Sequence, residues 1–151
     1  GGSEQDTAGP LTGASNCACR GSKYHRWQLT VDLADTSLMG RLKLQLPLTH
    51  ARLEFHPRGL YVRCLQLSDS MGNAVELSGP DARRHFGLRS SCFVGSLLPG
   101  GGEIQFSGRG FGHGVGMCQY GALGFAKEGR DAEWILSRAY PGSHLMRLSY
   151  A

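Results

Sequence analysis

Apolar and polar side chains alternate in several short stretches of the chain, and this pattern predicts β-strands. Trp27, Leu29 and Val31 show it first, with polar residues between them, as on a strand with one buried face. Strand-like runs follow at 51–56, 60–67, 74–77, 91–97, 103–106 and 145–150. The segments 57–59 (Pro-Arg-Gly), 71–73 (Met-Gly-Asn) and 99–102 (Pro-Gly-Gly-Gly) separate neighbouring runs, so each is predicted to be a turn.

Other segments have helical spacing or helix-end signals. Leu38, Leu42 and Leu46 are spaced by four, with Asp35 as N-cap and Pro47 as the end, which predicts a helix over 35–46. Similar signals predict helices at 80–86, with Gly87 as the stop, at 115–127, and at 132–140, with Asp131 as N-cap. We therefore expect an α+β fold. Its β-rich core would consist of short, mainly antiparallel strands, with two or three short helices mostly near the carboxy terminus.

Length and composition indicate one domain. The chain has 151 residues, of which 40% are hydrophobic and 19% charged. We expect a flexible terminus or linker over 1–22, which begins rich in Gly, Ser and Thr, and a folded domain over 23–151. The chain begins with Gly-Gly and contains no apolar run near 18 residues. We therefore expect a processed, truncated or engineered piece with no membrane span in it.

The charge balance favours polyanionic partners without choosing among them. The net charge is +4 and the pI is near 9.0, which suits nucleic acid, anionic membranes or cell-wall polymers alike. No run of Lys and Arg exceeds two residues, and aromatic residues are not interleaved with them in a stripe. These two features argue against a nucleic-acid partner.

Glycine occupies every second position from 108 to 116. In an extended chain, all five glycines would lie on one face, with Arg109, Phe111, His113, Val115 and Met117 on the other. A face without side chains allows a ligand or another backbone to approach closely, and glycine also permits positive φ where a strand bends into a helix. The spacing fits neither G-x-G-x-x-G nor G-x-x-x-x-G-K-[ST], which excludes the common nucleotide-binding loops.

His113 lies between glycines at the predicted junction of strand and helix, and we expect it to face a ligand rather than serve only structure. Arg109, His113, Gln119 and Tyr120 would together offer donors suited to sugar hydroxyls and carboxylates. With the adjoining backbone, the predicted substrate-binding residues are Arg109, Gly110, His113, Gly114, Gln119 and Tyr120.

The cysteines and the other histidines give no clear metal site, and no cofactor is expected. Cys17, Cys19 and His25 offer three zinc ligands, but their spacing is not a common structural pattern. Free thiols, or a disulfide to another part of the protein, are favoured over zinc. Cys64 and Cys92 lie in apolar runs and are predicted to be small core residues. His50, His56, His85 and His144 are predicted to lie at the surface or in turns.

A resemblance to a known family rests mainly on the glycine-rich run. The sequence GRGFGHGVGMCQYGA at 108–122, followed by AKEG at 126–129 and ILSRAYPG at 135–142, resembles the signature of the bacterial SpoIID/LytB family. Upstream, Tyr24-x-Arg26-Trp27, the run FGLRS at 86–90, and Phe93 agree more loosely. Cys118 departs from the family, which usually has serine there. The chain thus resembles the carboxy-terminal part of a SpoIID-like domain.

The resemblance implies an extracytoplasmic protein of the bacterial cell envelope that acts on peptidoglycan. SpoIID-type members are lytic transglycosylases, which cut glycan between N-acetylmuramic acid and N-acetylglucosamine and prefer strands stripped of peptides. LytB-type members enhance a wall amidase. This chain would supply the substrate groove of such an enzyme; the alternative is a non-catalytic wall-binding module that enhances an amidase. Its implied partners are peptidoglycan glycan strands, with a wall amidase or the amino-terminal part of the same domain.

The family's catalytic acid has no counterpart in this chain. That acid is a glutamate near an E-M-P segment and an L-K-A-Q-A-x-A-A-R-T helix, and neither occurs here. Cleavage of a glycosidic bond needs a carboxylic acid to protonate the leaving oxygen. Glu128 and Glu133 are predicted to be solvated residues near helix ends, so no catalytic residue is nominated and enzymatic activity of this chain stays open.

Overall fold

The computed structural model describes residues 21–57, 61–112, 114 and 116–146. Several predictions lie outside the described residues. They include nearly all of the terminus at 1–22 with Cys17 and Cys19, the site residue His113, and most of the strand at 145–150.

Six strands and four helices make up the described part of the chain. In order they are β1 (Trp27–Asp32), α1 (Thr36–Leu42), β2 (Leu48–Phe55), β3 (Val62–Asp69), β4 (Ala74–Ser78), α2 (Gly79–Phe86), β5 (Phe93–Leu97), β6 (Glu103–Gly108), α3 (Gln119–Lys127) and α4 (Ala132–Ala139). Two of these helices follow the last strand. The predicted α+β fold class is therefore confirmed.

The strands form two three-stranded antiparallel sheets. One has the order β1-β6-β5 and the other β2-β3-β4. The predicted hairpins are confirmed, since β2 pairs with β3 and β3 with β4, and β5 pairs with β6. At the turn before β4, the Asp69 carboxylate accepts hydrogen bonds from the backbone N–H groups of Met71 and Asn73. A carboxylate that satisfies turn N–H groups in this way stabilises the turn.

One apolar core joins both sheets to α2. Phe106 and Ile104 of β6 and Leu65 of β3 are almost completely buried. Phe86 of α2 and Phe93 of β5 pack on Phe106, with ring centroids 5.3 Å and 5.5 Å away. The same cluster includes Trp27, Leu33, Met39, Leu42, Leu44, Leu48, Val62, Leu67, Ala82 and Leu88. Because β6 is the central strand of its sheet and is buried in this core, its far end has a defined position for the glycine-rich segment that follows.

Two helix boundaries differ from the predictions. The helix predicted over 35–46 has its expected N-cap, Asp35, but ends at Leu42, where Lys43 adopts a left-handed conformation with φ 56°. The backbone N–H of Gln45 instead donates to the Asp69 carboxylate at 2.9 Å. This long-range bond leads the chain away from the helix and leaves Leu46 40% exposed.

The helix α2 is confirmed, with Ser78 as N-cap and left-handed Gly87 after its last turn. Helix α3 starts at Gln119 and not at 115 as predicted, because Cys118 is its N-cap. At the end of the described chain, Leu145 and Met146 are 60% and 82% exposed and are not in a strand.

The structure corrects the prediction for two histidines. His56 follows β2 and is only 4% exposed, and its backbone N–H donates to the Tyr61 carbonyl across the β2–β3 hairpin. His85 is half-buried in α2, and burial lowers its pKa. His50 and His144 are exposed as predicted.

Candidate functional site

The glycine-rich segment is not the extended strand that its alternation predicted. Strand β6 ends at Gly108, and Gly110, Gly112, Gly114 and Gly116 have φ of 73°, 99°, 81° and 83°. Positive φ lies outside the β region and is costly for residues with a Cβ. The backbone therefore leaves the β conformation at each of these four glycines, and the segment is not one continuous strand. The predicted use of glycine for positive φ at this junction is confirmed.

The first half of the segment is fixed to two distant parts of the chain. The Gly110 N–H donates to the Tyr24 carbonyl at 2.9 Å, and the Gly110 carbonyl accepts from the Trp27 indole at 3.0 Å. The Gly112 N–H donates to the Arg89 carbonyl at 2.8 Å. These three bonds hold the segment between the start of β1 and the loop after α2.

Arg109 lies at the centre of this attachment through its backbone. Its N–H donates to the Cys92 carbonyl at 2.9 Å, and its carbonyl accepts from the buried Ser90 hydroxyl at 2.5 Å. Both backbone groups of Arg109 are thus satisfied inside the protein, while its side chain is exposed. The guanidinium is presented to solvent from a fixed backbone.

Two tyrosines hold the second half of the segment. A Cβ added to Gly114 would lie 2.2 Å from the Tyr61 ring, and one added to Gly116 would lie 3.2 Å from the Tyr140 hydroxyl. The Met117 N–H donates to that same hydroxyl at 3.3 Å. Tyr140 immediately follows α4, so the segment and the last helix are joined at this point.

Helix α3 begins directly after the segment. The Cys118 side chain accepts from the Gly121 N–H with a sulfur–nitrogen distance of 3.3 Å. This is the N-cap position, where serine is among the preferred residues. The SpoIID/LytB family, which this chain resembles, usually has serine here, and a serine would cap the helix in the same way. Cys118 caps it with sulfur, a weaker acceptor than a hydroxyl oxygen.

The helices α3 and α4 pack on each other through aromatic and cationic side chains. Phe125 and Trp134 meet edge to face with centroids 5.1 Å apart, and the Arg138 guanidinium lies 5.8 Å and 5.7 Å from their ring centres. Asp131 caps α4 as predicted, accepting from the Trp134 N–H. Helix α4 packs on α3, and Tyr140 after α4 bonds to Met117 before α3. These contacts hold the first turn of α3 beside the glycine-rich segment.

The predicted site residues follow one another along this segment and helix. Arg109, Gln119 and Tyr120 have exposed side chains, and Gly110 and Gly114 are half-buried. His113 lies outside the described residues. A groove of roughly 380 Å³ lies beyond α4, lined by Glu133, Leu136, Ser137, Tyr140, Ser143, His144 and Leu145. It contains none of the predicted residues, so their part in ligand binding stays a prediction.

Four side chains form a cluster at the glycine-rich segment that was not predicted as part of the site. They are Lys23, Tyr24, Arg89 and, from the segment itself, Phe111. Tyr24 packs against Phe111 with ring centroids 4.8 Å apart, and Lys23 and Arg89 lie 5.0 Å and 5.1 Å from the Tyr24 ring centre. Two stretches singled out upstream in the sequence, 24–27 and 86–90, contribute Tyr24 and Arg89. Their co-occurrence with the glycine-rich run was the one signal that could have indicated this cluster.

The described carboxylates show no environment suited to a general acid. Hydrogen bonds from the Asn73 side chain and from the backbone of Gln45, Asn73 and Met71 lower the pKa of Asp69 to about 2. Hydrogen bonds likewise lower the pKa values of Asp35 and Asp81. A general acid needs the opposite shift.

The glutamates of the described residues are paired or exposed. Glu54 pairs with Arg63, and Glu76 accepts from the Gln66 side chain. Glu103, Glu128 and Glu133 are exposed to solvent, as predicted for the last two. None of these five occupies a buried apolar pocket of the kind that keeps a carboxylic acid protonated near neutral pH.

Cysteine and histidine side chains likewise form no metal centre in the described part of the chain. No three His, Cys, Asp or Glu side chains converge there, and Cys17 and Cys19 lie outside it. Cys64 is buried and Cys92 half-buried, in keeping with the prediction that they are core residues, and burial raises the pKa of both thiols. The helices among the described residues are all too short or too polar to cross a lipid bilayer.

Comparison with known proteins finds relatives over about half of the chain. It is 40% identical over 77 residues to "Stage II sporulation protein D" of Bacillus amyloliquefaciens, which covers 51% of this chain and 22% of that protein. The protein of the same name from Bacillus subtilis is 40% identical over 80 residues, or 53% and 23% of the two chains. "Amidase enhancer" of Bacillus subtilis is 51% identical over 43 residues, or 28% of this chain and 6% of that one. No family model matches.

These relatives confirm the resemblance to the SpoIID/LytB family. The chain spans less than a quarter of the length of either sporulation protein.

Proposed function

We propose that this chain supplies the groove that holds peptidoglycan glycan strands in a SpoIID-like lytic transglycosylase of the bacterial cell envelope. The observation that carries the proposal is the rigid attachment of the glycine-rich segment. Its backbone is bonded to the start of β1 and to the loop after α2, while side chains at both of its ends remain in solvent. The names of the relatives, a sporulation protein and an amidase enhancer, support a role at the cell wall.

The side chains of the proposed groove match the chemistry of a glycan strand. Glycan offers hydroxyl and acetamido groups, and carboxylates where the peptides have been removed. The Arg109 guanidinium donates in a planar fork suited to carboxylates, and the Gln119 amide and the Tyr120 hydroxyl both donate and accept. Gly110, Gly114 and His113 complete the proposed set. A Cβ at Gly110 would meet no atom within 4 Å, so a sugar can approach the backbone there, whereas the Tyr61 ring fills the corresponding space at Gly114.

The catalytic acid is proposed to come from an amino-terminal part of the domain. Protonation of the glycosidic oxygen needs a carboxylic acid placed beside that bond. The described carboxylates in this chain are capping turns and helices, paired, or freely solvated. In this proposal the folded unit over 23–151 positions the glycan strand. The catalytic acid belongs to an amino-terminal part of the domain and protonates the glycosidic oxygen of that strand.

A second candidate is a non-catalytic module that binds the wall and enhances an amidase. The relative named "Amidase enhancer" favours it, because 43 residues of this chain are 51% identical to that protein. Both candidates require glycan binding. They differ in whether anhydro-muramic ends form once the amino-terminal part is supplied.

The test uses peptide-free glycan strands, with binding followed by titration calorimetry and products by mass spectrometry. We expect binding by this chain without products, and weaker binding by His113→Ala and Gln119→Ala. Gln28→Ala is the matched control for the second variant, because the Gln28 side chain is exposed on β1 and is not one of the proposed groove residues. Anhydro-muramic ends formed by this chain alone would refute the proposed external acid. Unmeasurable binding to the strands would refute both candidates.

A further inference from the structure

The strongest unassigned feature is the aromatic and cationic cluster formed by Lys23, Tyr24, Arg89 and Phe111. The Tyr24 ring is its centre: Phe111 packs on it at 4.8 Å with an interplanar angle of 36°, and the two cationic groups lie 5.0 Å and 5.1 Å from its centroid. Phe111 lies between Gly110 and Gly112, and its side chain is 63% exposed. Covering this ring with the apolar face of a ligand would remove apolar area from water, which is favourable.

The positive charges of the cluster are not neutralised within the described part of the protein. Lys23 and Arg89 both have exposed side chains. The two ion pairs found among described residues, Arg63–Glu54 and Arg84–Asp81, involve neither of them. A guanidinium and an ammonium group beside an exposed ring thus provide a complementary surface for an anionic ligand that has an apolar face.

The backbone holds the cluster in place without a ligand. Tyr24 and Arg89 each accept a hydrogen bond from the glycine-rich segment, through Gly110 and Gly112 on either side of Phe111. Ser90 and Gly112 also form an isolated β-bridge. Binding to a surface whose backbone is already ordered loses less entropy than binding to a mobile one.

We propose that this cluster is a subsite for an acidic sugar residue of a glycan strand. The exposed ring of Phe111, supported from behind by Tyr24, packs against the apolar face of the pyranose, and Arg89 and Lys23 pair with its carboxylate. The subsite rests on the proposed glycan-binding function and deepens it, because it names the charged group that is recognised. On a strand without stem peptides, that group is the free lactyl carboxylate of each muramic acid.

A single-stranded nucleic acid is the competing ligand, since it too offers planar rings and negative charge. Its bases stack on successive aromatic side chains along a positively charged groove. Here Phe111 is stacked on Tyr24, so the pair offers one exposed ring, and among the described residues no further ring pairs with either of them. This geometry fits one sugar better than a series of bases.

The test compares two ligands that differ only in the carboxylate. Peptide-free glycan strands are used as isolated, or with the lactyl carboxylates reduced to alcohols, and affinities are measured by calorimetry. We expect Arg89→Gln to weaken binding of the untreated strand roughly 2- to 5-fold, as for the loss of one exposed ion pair, and to leave binding of the reduced strand unchanged. Arg52→Gln is the matched control, an equal charge change at an exposed residue of β2.

Phe111→Ala tests the ring platform separately from the charge. It should weaken binding of both strands by a similar factor, roughly 3- to 10-fold, since the apolar contact does not depend on the carboxylate. Phe55→Ala, at a ring that is 40% exposed at the end of β2, is the control. Far-UV circular dichroism of each variant verifies that it is folded.

The outcomes separate the subsite from the proposed function. Binding of both strands with equal affinity, unchanged by Arg89→Gln, would overturn the subsite and leave the proposed groove intact. Absence of binding to either strand would overturn both. Preferential binding of a single-stranded oligothymidine, lost on Phe111→Ala, would overturn the subsite in favour of nucleic acid.

Discussion

Replacing Gly108 by alanine is expected to destabilise the protein strongly, because this glycine lies against a buried ring. Gly108 ends β6 and is paired with Trp27 on one side and Phe93 on the other. A Cβ at this position would lie 2.2 Å from Cζ2 of Trp27 and 2.7 Å from the Cys92 carbonyl oxygen. Non-bonded carbon atoms are most stable at about 3.5–4.0 Å. The indole would therefore have to move by more than about 1 Å.

The surroundings of Trp27 oppose that movement. The side chain is 8% exposed, and its indole N–H donates to the Gly110 carbonyl. Overpacking a core typically costs about 1–3 kcal/mol, and loss of the indole hydrogen bond adds about 1 kcal/mol. We expect Gly108→Ala to lower the free energy of unfolding by about 2–4 kcal/mol. That is a large part of the roughly 5–15 kcal/mol typical of a domain.

Urea unfolding followed by far-UV circular dichroism measures the change. Gly102→Ala is the control, because a Cβ there has no neighbouring atom within 4 Å and its φ is not in the left-handed region. The control should lie between no change and a gain of about 1 kcal/mol. Equal stabilities for Gly108→Ala and Gly102→Ala would refute the close approach of Gly108 to Trp27.

Three further predictions follow from individual contacts. Cys118→Ser should raise the free energy of unfolding by about 0.5–1 kcal/mol, because a hydroxyl is a better N-cap acceptor than a thiol; an unchanged urea midpoint would contradict this. Trp27→Phe should lower the free energy of unfolding by about 2–3 kcal/mol, through loss of the indole bond to Gly110 and the cavity left by the smaller ring, and a variant as stable as the parent would contradict both contributions. The Asp69 carboxyl has a pKa of about 2 in the folded protein against an ordinary 3.8, so the unfolded chain binds its proton more readily. Its stabilising contribution should be complete above about pH 4 and decline as the pH falls through about 2. Between pH 4 and 2 the urea midpoint of Asp69→Asn should therefore fall less than that of the parent, and parallel curves would count against the prediction.

Elements specified by neighbouring residues were predicted well. The caps Asp35 and Asp131, the stop at Gly87 and the turn at 71–73 all occur as expected. Each depends on residues within about four positions, so the local sequence contains the interactions that form it. The strand pairing of β2 with β3 and of β5 with β6 followed from the same turns.

The errors occurred where a distant residue decided the conformation. The helix α1 ends early because Gln45 bonds to Asp69, 24 positions away. His56 was expected at the surface or in a turn, and its side chain is buried next to the end of β2. The glycine-rich run has perfect alternation, yet its backbone bends because its N–H groups bond to Tyr24 and Arg89 and not to a neighbouring strand.

The proposed site shows the same division. The α+β class, most of the secondary-structure elements and the resemblance carried by the glycine-rich run could all be derived from the sequence. The meeting of Tyr24, Arg89 and Phe111 could be found only in the folded chain, since Arg89 is 65 positions after Tyr24 and Phe111 is 22 positions after Arg89. Periodicity and capping are local interactions, and a single sequence displays them directly. Sheet pairing and core packing decide which distant segments come together. Their energies are shared among many residues, so the residue type at any one position does not reveal the outcome.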